Sequence, residues 1–146
     1  MSHVQKQILD RVVSDLTGLS ATGSRVYRSS EHPVTTATMP GLSVSLGEEL
    51  AGEGSISATI KVVRLTVLVC VEGDDFDVST KVLADIEAAL YGDYSAGRYV
   101  AGLALSVLYR GCSREYVTST AVRHTRLTVL YDVEYQTMDG AAETAC

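Results

Sequence analysis

The sequence predicts an α+β fold: a mostly antiparallel or mixed sheet of four to five strands with two amphipathic helices packed on one face. Three observations carry this. Residues 62–71 and 127–135 alternate apolar positions with a period of two, as strands do. Residues 4–16 and 78–90 instead space their apolar side chains three and four apart, as a helix with one buried face does. The stretches follow one another as helix, two short strands, long strand, helix, two strands, which lets both helices share one side of a sheet.

At 146 residues the chain has the size of one ordinary domain. Residues 1–137 read as that domain and 138–146, small and polar, as a flexible tail. In the first helix Val4, Ile8, Leu9, Val12, Val13 and Leu16 form the buried stripe, with Ser2 as N-cap and Gly18 just past the end. Asp10, Arg11 and Asp15 lie opposite, as a solvated face. Residues 25–28 predict a short strand with Val26 inward, and Leu42, Val44 and Leu46 a second one. Glu48, Glu49, Gly52, Glu53 and Gly54 make residues 47–57 read as an acidic loop between strands, either a hairpin tip or a loop that orders on a partner.

The centre of the chain is residues 59–92. Val63, Leu65, Val67, Val69 and Val71 share one strand face and must be buried; Val62, Arg64, Thr66, Leu68 and Cys70 share the other, which a neighbouring subunit or loop would cover in part. Asp74, Asp75 or Asp77 can cap the helix of Val78, Val82, Leu83, Ile86, Ala89 and Leu90, and Gly92 is placed to end it in a left-handed conformation. Leu103, Leu105 and Val107 begin a fourth strand, and residues 111–120 read as a polar turn. The last strand turns Leu127, Val129, Tyr131, Val133 and Tyr135 one way and His124, Arg126, Thr128, Asp132 and Glu134 the other.

A formal charge of −6 argues against duplex DNA as a primary partner, because phosphate binding needs a basic surface. Arg110, Arg114, Arg123 and Arg126 gather around the last two strands, but Glu115, Asp132 and Glu134 lie among them, which favours a charged protein–protein face. Cys70, Cys112 and Cys146 are odd in number and lack CxxC spacing, so neither a disulfide framework nor a zinc site is expected, and Cys70 reads as a buried hydrophobe. His3, His32 and His124 have no nucleophile context, and the glycines form neither GxGxxG nor a P-loop. No catalytic, cofactor-binding or metal-ligating set is therefore expected. No stretch has the length of a membrane span, and residues 1–6 lack a signal peptide's apolar run, so synthesis in the cytoplasm is expected.

Ile8-Leu9-Asp10-Arg11-Val12-Val13, Leu16-Thr17-Gly18-Leu19 and Thr22-Gly23-Ser24-Arg25-Val26-Tyr27 resemble the opening of tail terminator proteins of long-tailed bacteriophages, also called tail completion or minor tail proteins, where a helix runs into a "TGxRV" turn and strand. Met39-Pro40-Gly41-Leu42-Ser43-Val44 is similar to that family's "LPALxV" strand entry, and residues 64–90 and 125–137 to its long strand, acidic helix and final strand. The resemblance spans residues 4–137; the loop after Leu46 and the tail after Thr137 depart from it. It implies a structural virion protein without enzymatic activity or cofactor. Such a protein forms a hexameric ring on the tail tube, ends tube polymerisation and meets a head completion or connector protein at the neck end of the tail, after assembly in the host cytoplasm. DNA would pass through its lumen without specific binding, and no membrane is involved. On this reading Arg64, Arg126 and Asp132 belong to the subunit contact, and Arg25, Arg28, Glu48, Glu49 and Glu53 to contacts with the tube or neighbouring subunits. The alternatives are another neck or head–tail connector ring protein and, from a different class, a small α+β ligand-binding domain or enzyme.

Overall fold

The computed structural model describes residues 3–20, 22–28, 39–54, 58–95, 97–118, 123–138 and 141–145. It is an α+β domain: helices α1 (Val4–Leu16) and α2 (Phe76–Gly92) cover one face of a sheet built on four long strands, β2 (Gly41–Gly54), β3 (Ala58–Glu72), β6 (Ser106–Val117) and β7 (His124–Met138). The sheet order is β1-β2-β3-β7-β6, with the two-residue β1 (Val26–Tyr27) parallel to β2 and all other pairs antiparallel. The short strands β4 (Tyr94–Ser95) and β5 (Arg98–Tyr99) form a separate hairpin after α2.

The register shows why these sequences make one core. Leu42, Val69 and Leu127 lie in one cross-strand row, Val44, Val67 and Val129 in the next, then Leu46, Leu65 and Tyr131, then Val63, Val133 and Val107. All of these but the half-buried Leu46 are shut from solvent, against Val4, Ile8, Val12 and Leu16 of α1 and Val82, Ile86 and Leu90 of α2. Removing this apolar area from water is the main favourable contribution to folding. Both helices must lie on this side, because only this face is continuously apolar.

The termini of the helices differ from expectation. The α1 cap is His3, whose Nδ1 accepts the Gln5 N–H at 3.0 Å; Ser2 lies outside the described residues. Asp75 caps α2, its carboxylate accepting the Val78 N–H at 3.1 Å. Gly92 is the last helical residue and not a left-handed terminator; the C-cap is Asp93, with φ −85°.

Three stretches expected to be irregular are strand. The acidic loop expected from residue 47 is the second half of β2, which stays paired with β3 up to Gly54 across two register shifts, at Leu46/Glu49 and Ala51/Gly54; residues 55–57 lie outside the described residues. The polar turn expected at 111–120 is β6 as far as Val117, entered through a bulge at Tyr109/Gly111, where Gly111 has φ +145°, a value that side chains with a Cβ rarely adopt. That strand begins at Ser106, since 100–103 form a turn in which Val100 and Ala101 both take left-handed φ, 53° and 54°. Where a flexible tail was expected, β8 (Ala141–Ala145) pairs with the end of β7.

Two further expectations shift. His124, expected on a wet strand face, is fully buried, and so is its neighbour Thr125. Asp15, expected in solvent, has a carboxyl only 13% exposed, packed against Asp93 beyond the end of α2.

Candidate interaction surface

The sheet face turned away from the helices is covered by no described element. β3 contributes Ile60, Val62, Arg64, Thr66 and Leu68 to it, and β7 contributes Arg126, Thr128, Leu130, Asp132 and Glu134. All of these are half-buried, so the face mixes aliphatic and charged groups, as interaction surfaces do.

At its centre Arg64 Nε donates to Asp132 Oδ1 at 2.8 Å, and Arg110 Nε donates to Asp132 Oδ2 at 2.6 Å. Arg64 and Asp132 are directly opposed in the β3–β7 register, and the bulge in β6 swings Arg110 back toward the same carboxylate. Burial raises the Asp132 pKa, but the hydrogen bonds from Arg110 and Arg64 outweigh it and hold the carboxylate below its ordinary range. The two guanidiniums are about half exposed, 43% and 52%, and so remain available to a partner. Beside them Glu48, Leu50, Val62, Arg64 and Asp132 line a shallow depression of about 40 Å³.

The residues singled out from the sequence are thus distributed unevenly. Arg64 and Asp132 meet, and Arg126 lies on the same face, its side chain beside Cys70, a thiol whose pKa burial raises. Glu48 is exposed on the neighbouring margin. Glu49 is engaged within the chain: it accepts from the Tyr135 hydroxyl and from Gln5 Nε2 (2.6 Å), which ties β2 to β7 and α1 on the helix side. Arg28 pairs with Asp10 of α1, and Arg25 Nε donates to the Pro40 carbonyl at 2.8 Å. The side chain of Glu53 lies outside what the structure describes. Arg114, read as part of one basic cluster, is on the helix side: it donates to Ser79 Oγ at 2.9 Å and its guanidinium stacks 4.8 Å from the centre of the Phe76 ring. Parity with Leu108 places Arg110 on this face too, but its contact with Asp132 depends on a bulge that the sequence does not announce.

On the helix side, Leu83, Ala84 and Glu87 of α2 and Tyr109, Val129 and Tyr131 of the sheet line an open groove of about 360 Å³. Among the described residues no group of three or more His, Cys, Asp or Glu side chains is placed to hold a metal ion, and no helix is long and apolar enough to cross a membrane.

No protein-family model matches the sequence, and no curated protein matches it. Among solved structures, the chain is similar to one from the virion of a native gene transfer agent particle, with 21% identity over 90% of this chain and 92% of that one and a TM-score of 0.49.

Proposed function

We propose that this chain is a structural virion protein of the tail terminator type: it caps a phage tail tube as a ring, ends tube polymerisation and presents the surface on which the head attaches. The observation that supports this most is a sheet with one face that no described element covers, carrying half-exposed paired charges among aliphatic side chains. The family-like segments lie along the same framework: α1 and β1 at its start, β3 and α2 at its centre, β7 near its end.

The work of such a protein is shape. Copies must join through a heterologous contact that closes on itself, most simply six-fold, with unlike surfaces above and below. Weak contacts repeated around a ring add up, so docking on a tube of matching symmetry completes a ring that dilute subunits form poorly. The partners in this reading are further copies of the chain, the tube protein and a head completion or connector protein. DNA slides through the lumen without a specific grip, in keeping with the acidic chain. The protein works at the neck end of the tail after assembly in the host cytoplasm, performs no chemical step and needs no cofactor.

The test is tube length. Adding purified protein to polymerising tube subunits is expected to arrest their growth, and omitting it in assembly to give overlong tubes. Tubes of normal length that fail to join heads when the protein is missing would assign it to the connector instead.

A further inference from the structure

Among the described residues the sheet ends on two long margins without a partner strand. On one side β6 is the last strand along its whole length. On the other, β1 covers only Leu42 and Ser43 of β2, and among the described residues no strand pairs with 44–54 on that side. Unpaired strand margins invite another chain, and monomeric proteins blunt them with Lys, Pro and short strands. Neither β6 nor residues 44–54 contain Lys or Pro. Each margin has a bulge, but each also carries large apolar side chains in solvent: Leu50 is 59% exposed on β2, and Leu108, Tyr109 and Tyr116 are 51%, 51% and 47% exposed on β6. A margin selected to stay alone would not expose these groups.

We infer that β6 of one copy pairs with the free length of β2 of the next, joining copies of this chain into a continuous sheet. The inference rests on the ring-forming reading above and names its seam. Three observations select a second copy as the occupant. Three antiparallel steps separate β2 from β6, so the two run in opposite directions and a head-to-tail neighbour meets β6 as one more antiparallel strand. Leu50 and Leu108 both lie on the helix-free face, in register with Val62 and Asp132 respectively, so a seam can close them against each other. With Leu108 opposite Leu50, counting two residues along each strand brings the exposed Arg110 of β6 to Glu48 of β2, at the two bulges. Opposite charges therefore meet across the seam. Backbone pairing supplies affinity and the Leu50–Leu108 and Glu48–Arg110 contacts fix the register.

Sedimentation velocity of the full chain over a wide concentration range tests this, with circular dichroism to show that each variant is folded. Leu50→Asp and Leu108→Asp are each expected to weaken self-association at least about tenfold, as are Glu48→Arg and Arg110→Glu, whereas the Glu48→Arg/Arg110→Glu pair recovers most of the loss. In a Cys112→Ser/Cys146→Ser background, Leu50→Cys with Leu108→Cys is expected to give a ladder of disulfide-linked oligomers under mild oxidation, while each single cysteine variant stops at the dimer. Self-association that ignores both Leu→Asp changes, with no ladder, overturns the seam and leaves a ring built through another surface. A chain that stays monomeric at every concentration and gives no ladder also overturns it; the ring reading is then judged by tube arrest alone.

Discussion

Arg64 and Asp132 face each other across the β3–β7 pair on the side of the sheet that carries no helix, with Nε 2.8 Å from Oδ1. Arg110 takes the other carboxylate oxygen, so one acid holds two bases in place. Removing the acid and removing one base are therefore different perturbations.

Asp132→Asn is expected to lower stability by about 1 kcal/mol, because exposed ion pairs contribute little each but two are lost together and two guanidiniums are left adjacent. Arg64→Gln, which leaves the Arg110 pair, is expected to cost less than half as much. The sign with pH follows from the depressed carboxylate: the contribution is present above the ordinary Asp range and is lost as pH falls through the folded-state pKa below it. Urea unfolding at pH 7 and at pH 2.5 checks both, and the difference between Asp132→Asn and the parent should shrink at the lower pH.

Asp15 and Asp93 give a second, opposite pH dependence. Burial, with Asp93 beside it, pushes Asp15 up to about 7, while Arg11 donating to Asp93 at 2.8 Å holds that partner low. The folded state thus binds a proton that the unfolded chain releases near pH 4, and this contribution to stability falls between about pH 4 and 7. Asp15→Asn is expected to be indistinguishable from the parent near pH 4 and about 1 kcal/mol more stable at pH 8, read from thermal midpoints across that range.

The clasp of Gln5, Glu49 and Tyr135 fastens the far half of β2 to α1 and β7. Burial and the neighbouring Glu49 both raise the Tyr135 pKa, so its hydroxyl stays protonated and keeps donating. Tyr135→Phe removes that donor without changing the packing of the ring, and a loss of about 1 kcal/mol is expected. Amide exchange should accelerate along residues 48–54 more than along β7.

Ala101 is exposed and holds φ 54° in the turn that Tyr99 and Ala104 close with backbone hydrogen bonds of 2.9 and 3.0 Å. A left-handed residue with a Cβ costs roughly 1–2 kcal/mol, and glycine avoids that at an entropic cost of about half. Ala101→Gly is expected to raise stability by about 0.5 kcal/mol. A fall of the same size in the denaturation midpoint would show that the turn is not strained there.

The sequence made the centre of this molecule legible and its margins not, for one physical reason. Val63 to Val71 and Leu127 to Tyr135 are central strands with one dry face, so a strict period of two survives in the residues. β2 and β6 each contain a bulge that inverts the alternation: Leu46 and Glu49 both point to the helices while Leu50 points away, and Tyr109 and Cys112 share a side that unbroken counting would divide. Past the bulge, β6 is exposed on both faces and loses the apolar signal, so Gly111 to Tyr116 look like a turn. Arg64, Asp132 and Arg110 could all be placed on one face from parity, but that Arg110 reaches Asp132 could not be read, because the bulge at Tyr109/Gly111 sets that contact.

Both helices lie on the same side of the sheet, so its two faces are unlike, one under α1 and α2 and the other bare among the described residues. A row of copies joined margin to margin, as inferred above, would therefore carry all its helices on one side and all its bare strands on the other.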